Sequence, residues 1–391
     1  MKTQFPNYDW YDPNAQLALD TLDMKPTKGI PSCQTHLMDI PLLEELAEVE
    51  PGEYRKDPKR VYFQMQTNVG TGFIDQFIPD NPLTMGQHGY ESDRERGATT
   101  GAEEIVRDGI VIDSPEAVVE HMETLVLPGL RERAERLRDG GDTTEWRKSL
   151  IEQELECQQF FGPAVLKSPY GPFQHKPVLR YGTYGYANYF MAYALYPEIW
   201  ESDFTLQADI AVACNRVSAE AIIEGGLPRV VRFDHDMADS RGTLVNVATL
   251  DAIWFPHFAR SIEPLLDAGV RIIWHCDGNL MQMVPRLIEA GVSGFQGFQY
   301  EDGMDYETIC KMTDRNGDSL MIWGGVSVTT TLPHGTKDAV AKQVKWLVEN
   351  GPEVGLVLSA SSSITPGTPR ENVLTMIEGL RYYREHGREG L

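Results

Sequence analysis

His275 and Asp277 stand two residues apart, at the end of the apolar run Val270–Trp274. In an extended strand, side chains two apart share a face. An imidazole and a carboxylate therefore project together. Asp234 and Asp236 have the same spacing after Val230–Phe233, and His235 falls on the opposite face. An imidazole with two or three carboxylates can hold a divalent cation. With nitrogen and oxygen donors the leading candidate is Zn²⁺, one position being left open for substrate. Without a metal the same groups form an acid/base set. The predicted metal ligands are His275, Asp277 and Asp236. Cys276 lies on the face away from His275 and reads as core. A second cluster, Ser359–Ser363, follows the apolar run Val354–Leu358. It is either a polar turn or an anion cradle near a helix N-terminus, which makes Ser361 and Ser362 the candidate cofactor-binding residues.

The elements that must position these groups are easiest to read after residue 230. Strand-like runs at 230–233, 270–274, 292–298, 320–323 and 354–358 alternate with helical patterns at 249–267, 280–289, 306–312, 336–348 and 368–383. Gly269, Gly291 and Gly351 punctuate the helix ends, and Thr368-Pro369 has the form of an N-cap with Pro at the first helical position. The strands are apolar throughout, as in a parallel sheet covered on both faces. The chain therefore reads as α/β, a single (β/α)8 barrel, in which functional groups gather at the carboxyl ends of the strands. Earlier in the chain, 61–66 and 73–78 read as strands, 114–127 (N-cap Ser114) and 144–160 as helices, 164–166 as a short strand, and 203–223 as a helix. Residues 1–50 form an N-terminal extension wrapping the barrel, 51–391 the barrel itself, and 80–101 a loop over its mouth.

Composition narrows the partners. With 35 Lys+Arg against 58 Asp+Glu the net charge is −23. Nucleic acid and anionic membranes need a cationic footprint instead. No apolar run approaches the ~18 residues of a membrane helix, and Met1–Trp10 lacks the pattern of a signal peptide. The 5 cysteines are scattered with no CxxC pair, which fits a reduced, cytoplasmic protein.

Several segments resemble one family. They are Trp274-His275-Cys276-Asp277-Gly278-Asn279, Leu287-Ile288-Glu289-Ala290-Gly291, Trp323-Gly324-Gly325-Val326, Leu332-Pro333-His334-Gly335-Thr336, and Ser363 through Val373. In order and spacing, over about residues 180–385, they resemble the uroporphyrinogen decarboxylase superfamily. The resemblance implies a (β/α)8 barrel and one of two activities: cofactor-free decarboxylation of uroporphyrinogen, or methyl transfer to or from a corrinoid protein with zinc. The Arg-rich motif of the decarboxylases is absent. Of the soft ligands in the thiol-methylating enzymes only the His is matched, by His275; Asp277 and about Ser362 stand where cysteines would be. The implied protein is a zinc-dependent methyltransferase of the O-demethylase kind. It would move a methyl group from a small O-methyl or N-methyl substrate to a corrinoid (cobalamin-type) partner protein. On this reading His235, Asp239 or Glu301 supplies a proton or orients substrate, and a homodimer is compatible. The alternatives are a metal-free lyase and a catalytically silent barrel used as a binding module.

Overall fold

The computed structural model describes residues 5–6, 10–86, 104–138 and 141–389. Its strands in chain order are β1 (Phe73–Ile74), β2 (Val106–Arg107), β3 (Ile110–Val111), β4 (Leu166–Lys167), β5 (Val230–Asp234), β6 (Ala238–Asp239), β7 (Gly242–Thr243), β8 (Arg271–Cys276), β9 (Gly294–Gly297), β10 (Met321–Val326) and β11 (Leu356–Ala360). The five long strands form one parallel sheet in the order β11-β10-β9-β8-β5. All five overlap runs predicted as strands, but β8, β10 and β11 continue two or three residues farther, so His275 and Ser359 lie within strands and not after them. Burial on both faces explains their composition: β10 and β11 are buried along their whole length.

The sheet continues beyond β11 through single bridges. Ser32 pairs with Leu358 and Cys33 with Phe73, both in parallel. β1 pairs in parallel with β4. Residues 31–33, inside the segment expected only to wrap the barrel, thus lie in the sheet. Between the end of β4 and β5, Ser168 Oγ donates to the Val230 carbonyl at 3.3 Å. Helices cover the outside of the sheet. The longest, Pro197–Gly225, buries sixteen residues, among them Trp200, Phe204 and Ile222. Trp274 of β8 faces this layer, packing edge-on against Trp254 and Phe258.

Three expectations are corrected. Residues 61–66 lie in a helix, Pro58–Val69, and not in a strand. The side chain of Asp57 caps it, Pro58 opens it, and Val61, Tyr62, Met65 and Val69 form its buried stripe. The helix expected over 249–267 is two helices, Val247–Ile253 and Phe255–Asp267, with Pro256 in the first turn of the second. The last helix starts at Arg370, with Pro369 at the cap position; the Thr368 hydroxyl turns back to the Thr365 carbonyl at 2.9 Å. The loop expected over 80–101 lies largely outside the described residues.

Candidate metal centre

Register brings the first two groups together. Asp234 of β5 is the partner of His275 on β8, and His275 is the partner of Gln296 on β9. Residues opposite each other in a sheet face the same side. Phe233 and Trp274 form the row that faces the helices. Asp234, His275 and Gln296 form the row that lines the interior cleft.

His275 is buried, yet neither ring nitrogen has a hydrogen-bond partner. Its Nε2 stands 3.9 Å from Asp234 Oδ1 and 3.9 Å from Asp277 Oδ1. Its Nδ1 is buried and unpartnered, as is Asp277 Oδ1. One ligand atom each from Asp234, Asp236 and His275 lie within 4.8 Å of one another. Around a tetrahedral zinc ion with bonds near 2.0–2.2 Å, neighbouring ligand atoms are about 3.3 Å apart. The cluster is therefore slightly wider than a coordination shell, and too wide to be a set of hydrogen bonds. A nitrogen and carboxylate oxygens suit Zn²⁺ or another borderline-hard divalent ion.

The loops that carry these ligands are stitched to each other. The Asp277 N–H donates to Asp236 Oδ1 at 2.9 Å. The Met237 N–H donates to Cys276 Sγ at 3.2 Å, and the Cys276 thiol donates to the Asp277 carbonyl at 3.0 Å. Tyr181 donates to the Asp236 carbonyl at 2.8 Å. A Cβ at position 278 would come within 2.7 Å of the Asp239 carbonyl oxygen, and φ there is +87°, so this close approach requires Gly278.

Burial and charge act differently on the carboxylates. Burial pushes the Asp277 carboxyl above the usual carboxylate range; His275 opposes this, and Asp236 and Asp234 add to it. Burial works in the same direction at Asp234, but His275, Arg232 and the Tyr170 hydroxyl outweigh it and hold Asp234 below that range. Tyr170 donates to Asp234 Oδ2 at 3.0 Å and Arg232 Nη1 donates to the same oxygen at 3.1 Å. This turns Oδ1 over to His275. Arg232 is anchored in turn, through Nε to Asp75 Oδ2 at 2.6 Å and Nη2 to Gln76 Oε1 at 3.0 Å.

The cleft holds about 220 Å³. Its far wall carries His36, whose Nε2 accepts from Asn81 Nδ2 at 2.8 Å and whose Nδ1 meets the Tyr62 hydroxyl at 2.8 Å. Burial lowers the His36 pKa to about 4.

The other candidate residues are placed elsewhere. His235 Nε2 accepts the Leu179 N–H at 2.9 Å, and burial lowers its pKa to about 3. That nitrogen is committed as an acceptor, which does not suit a proton donor. Asp239 is turned to Arg241, 2.7 Å away, in the β6–β7 hairpin. Glu301 accepts from the Ser327 and Thr329 hydroxyls. None of these three lines the cleft. Ser362 does line it. Ser361 Oγ accepts the Val328 N–H at 3.2 Å, and its carbonyl accepts from Gln296 Nε2 at 3.3 Å. The sequence reading did not single out Arg232, Asp75, Tyr170 or His36. Arg232 did leave a signal, as a charge inside the apolar run Val230–Phe233, two residues from Asp234 and so on the same face.

The family model described as "Uroporphyrinogen decarboxylase (URO-D)" matches residues 172–383. The chain belongs to the uroporphyrinogen decarboxylase family. Its matched span contains β5, β8, β9, β10 and β11, with all the acidic residues around His275. No curated protein matches the chain. Among solved structures, it is similar to a methyltransferase from Methanosarcina mazei at TM-score 0.54 and 14% identity, over 94% of this chain and 98% of that one. A B12-independent methionine synthase from Shewanella sp. W3-18-1 matches at TM-score 0.38 and 14% identity, over 60% of this chain and 65% of that one. A putative vitamin-B12 independent methionine synthase from Listeria monocytogenes matches at TM-score 0.42 and 13% identity, over 92% and 98%. The first of these likenesses bears on the fold. Among the described residues, no helix is long and apolar enough to cross a membrane.

Proposed function

We propose that this protein is a metal-dependent methyltransferase. It takes a methyl group from a small O-methyl or N-methyl compound and passes it to a corrinoid carried by a separate protein in the cytoplasm. The scaffold on this reading is a (β/α)8 barrel, 51–391, closed with the help of residues 31–33 from the N-terminal segment. The observation that carries the proposal is His275: a buried imidazole with Nδ1 unpartnered and Nε2 3.9 Å from each of two carboxylates, a third carboxylate lying close by.

His275, Asp234 and Asp236 would hold the ion, with Asp277 beside them; zinc suits this donor set. When bound, such a cation supplies Lewis acidity to the oxygen or nitrogen that must depart, because an alkoxide or amide is a poor leaving group. The chain's own residues do the rest. Arg232 and Tyr170 keep Asp234 ionised and aimed at His275. Asp277, its Oδ1 3.9 Å from His275 Nε2, stands where it can orient the substrate atom that departs. Ser362 and Gln296 line the space where the body of the substrate sits. The decarboxylase activity fits less well. A cleft of about 220 Å³ offers, among its described lining residues, Arg232 as the single Lys or Arg, and Arg232 is already paired. An eight-fold carboxylate needs more.

The test is metal analysis of the purified protein, followed by methyl transfer to cob(I)alamin from a panel of methoxy and N-methyl compounds. We expect about one divalent ion per chain. The His275→Ala protein should lose that ion, and its transfer rate should fall more than a hundredfold. Full transfer by a metal-free His275→Ala protein would overturn the proposal. Release of CO₂ from uroporphyrinogen without methyl transfer would replace it with decarboxylation. A metal-free protein inert in both assays would leave a binding module.

A further inference from the structure

A second cavity, sharing no lining residue with the metal cleft, lies between the helices Leu127–Arg138 and Pro197–Gly225 and the segment 174–180. It holds about 270 Å³. Its lining carries three cationic side chains, Arg133, Lys176 and Arg180, and among the described residues no Asp or Glu. The chain as a whole has a net charge of −23. Only a local cluster of this kind overcomes the repulsion of so acidic a molecule for an anion.

The three cations are not equally engaged. Arg180 is held by Asp203, with Nε to Oδ2 at 2.9 Å and Nη2 to Oδ1 at 2.8 Å. Asp203 is fully buried and does not line the cavity. The Arg180 side chain is 21% exposed, and its Nη1 has no partner among the described residues. Arg133 is exposed; it bonds the Cys214 thiol and pairs with no carboxylate among the described residues. Lys176 has no carboxylate partner among them either. Its Nζ donates to Gln174 Oε1 at 2.9 Å and stands 5.0 Å from the centre of the Phe233 ring. Burial lowers its pKa to about 8, against the pull of Asp234. An ammonium enclosed without a counter-charge carries a cost that a bound anion removes.

The two unpaired charges bear on one place. Burial lowers the pKa of His175, another lining residue, to about 4, and Arg133 and Lys176 both push it the same way. Two positive charges near one ring are matched by two negative charges on one small group. A phosphate monoester carries them on a single phosphorus, with oxygens for both guanidinium groups and the ammonium. A dicarboxylate spreads them over two carbons. The rest of the lining is partly aliphatic, with Leu130 and Ile210 on the two helices. A cavity of about 150 Å³ accommodates benzene, so about 270 Å³ leaves room for a phosphate and a short carbon body.

We propose that this cavity binds a small phosphate monoester, its phosphate held by Arg133, Lys176 and the Nη1 of Arg180 and its carbon body against Leu130 and Ile210. The proposal does not depend on the methyl-transfer reading.

The test is calorimetric titration of the protein as purified, at fixed ionic strength in a phosphate-free buffer. The probes are glycerol 3-phosphate, inorganic phosphate and succinate. We expect glycerol 3-phosphate to bind with a Kd below about 1 mM. Inorganic phosphate should bind more weakly, and succinate at least about tenfold more weakly than the ester, as suits the loss of a charge-assisted bond. A metal ion at His275 can also take phosphate, so two variants locate the binding. Arg133→Gln and Lys176→Met should each weaken glycerol 3-phosphate at least about tenfold. Unchanged affinity in Arg133→Gln would overturn the proposal and place the phosphate elsewhere. So would the absence of ester binding, equal binding of succinate, or tighter binding of inorganic phosphate than of the ester. Arg133 is exposed, so its variant decides the matter even if Lys176→Met does not fold. Absence of metal or of methyl transfer would leave the result standing.

Discussion

The two sides of the cleft are built on opposite principles. On one side Asp75, Arg232, Asp234 and Tyr170 are linked in one hydrogen-bonded chain, and His36 has a partner on each ring nitrogen. Lys167 extends the hydrogen-bonded chain, donating to the Asp75 carbonyl at 3.0 Å and pairing with Glu154 at 2.8 Å. On the other side His275 and Asp277 carry buried polar atoms with no partner, and carboxylates crowd each other. A saturated network holds shape; an unsaturated one stores affinity for something that is not protein. Asp234 belongs to both, with Oδ2 in the hydrogen-bonded chain and Oδ1 toward His275.

The largest contrast should appear on removing one carboxylate from each side. Asp75→Ala leaves the buried Arg232 without its closest partner. Breaking such a pair costs about 3–5 kcal/mol, to be read from urea unfolding. Asp277→Asn in the chelator-treated protein removes a like charge instead, and should leave stability unchanged or raised. An equal loss in both would erase the distinction. A smaller effect is expected at Cys276, whose thiol bonds backbone groups of Met237 and Asp277 and so ties the Asp236 loop to the Asp277 loop. Cys276→Ala should weaken metal affinity by about 10–100-fold, the range found for groups that orient ligands, with a much smaller change in melting temperature. Competition with a chromogenic chelator measures it.

The smallest expected effect is a slope. His36 is neutral in the folded protein down to about pH 4, whereas an unfolded His takes up its proton near pH 6.5. Between those values the unfolded state binds more protons, so stability rises with pH. The contribution is complete above about pH 6.5 and is lost as pH falls toward 4. Thermal melts across that window should show the slope, to which buried His235 and His175 add in the same direction, and His36→Gln should reduce it by the His36 share. An unchanged slope in His36→Gln would place the titration elsewhere.

The difference between the two sides also governs what could be read from the sequence. His275 and the carboxylates around it were legible because they lie within a few residues of strand ends that are continuous apolar runs. Alternation then assigned their faces. The choice among the carboxylates was not legible, since which oxygen faces His275 is settled by Tyr170 and Arg232. The saturated side was hidden because its pairs are distant in sequence: Arg232 and Asp75 are separated by 157 residues. The helix at 58–69 was misread because the window 61–66 is too short to separate periods of 2 and 3.6; Asp57-Pro58 just before it was the better signal.

Ser32 and Cys33 join the sheet to Leu358 on one side and Phe73 on the other. This has a consequence in time. A chain emerging from the ribosome can form the Cys33–Phe73 bridge early, but the Ser32–Leu358 bridge must wait until residue 358 has emerged, more than 300 residues later. Contacts so far apart in sequence are slow to form. Until then the strip at residue 32 presents an open strand edge, which makes the nascent state, more than the finished one, the point at which this fold is exposed to mispairing.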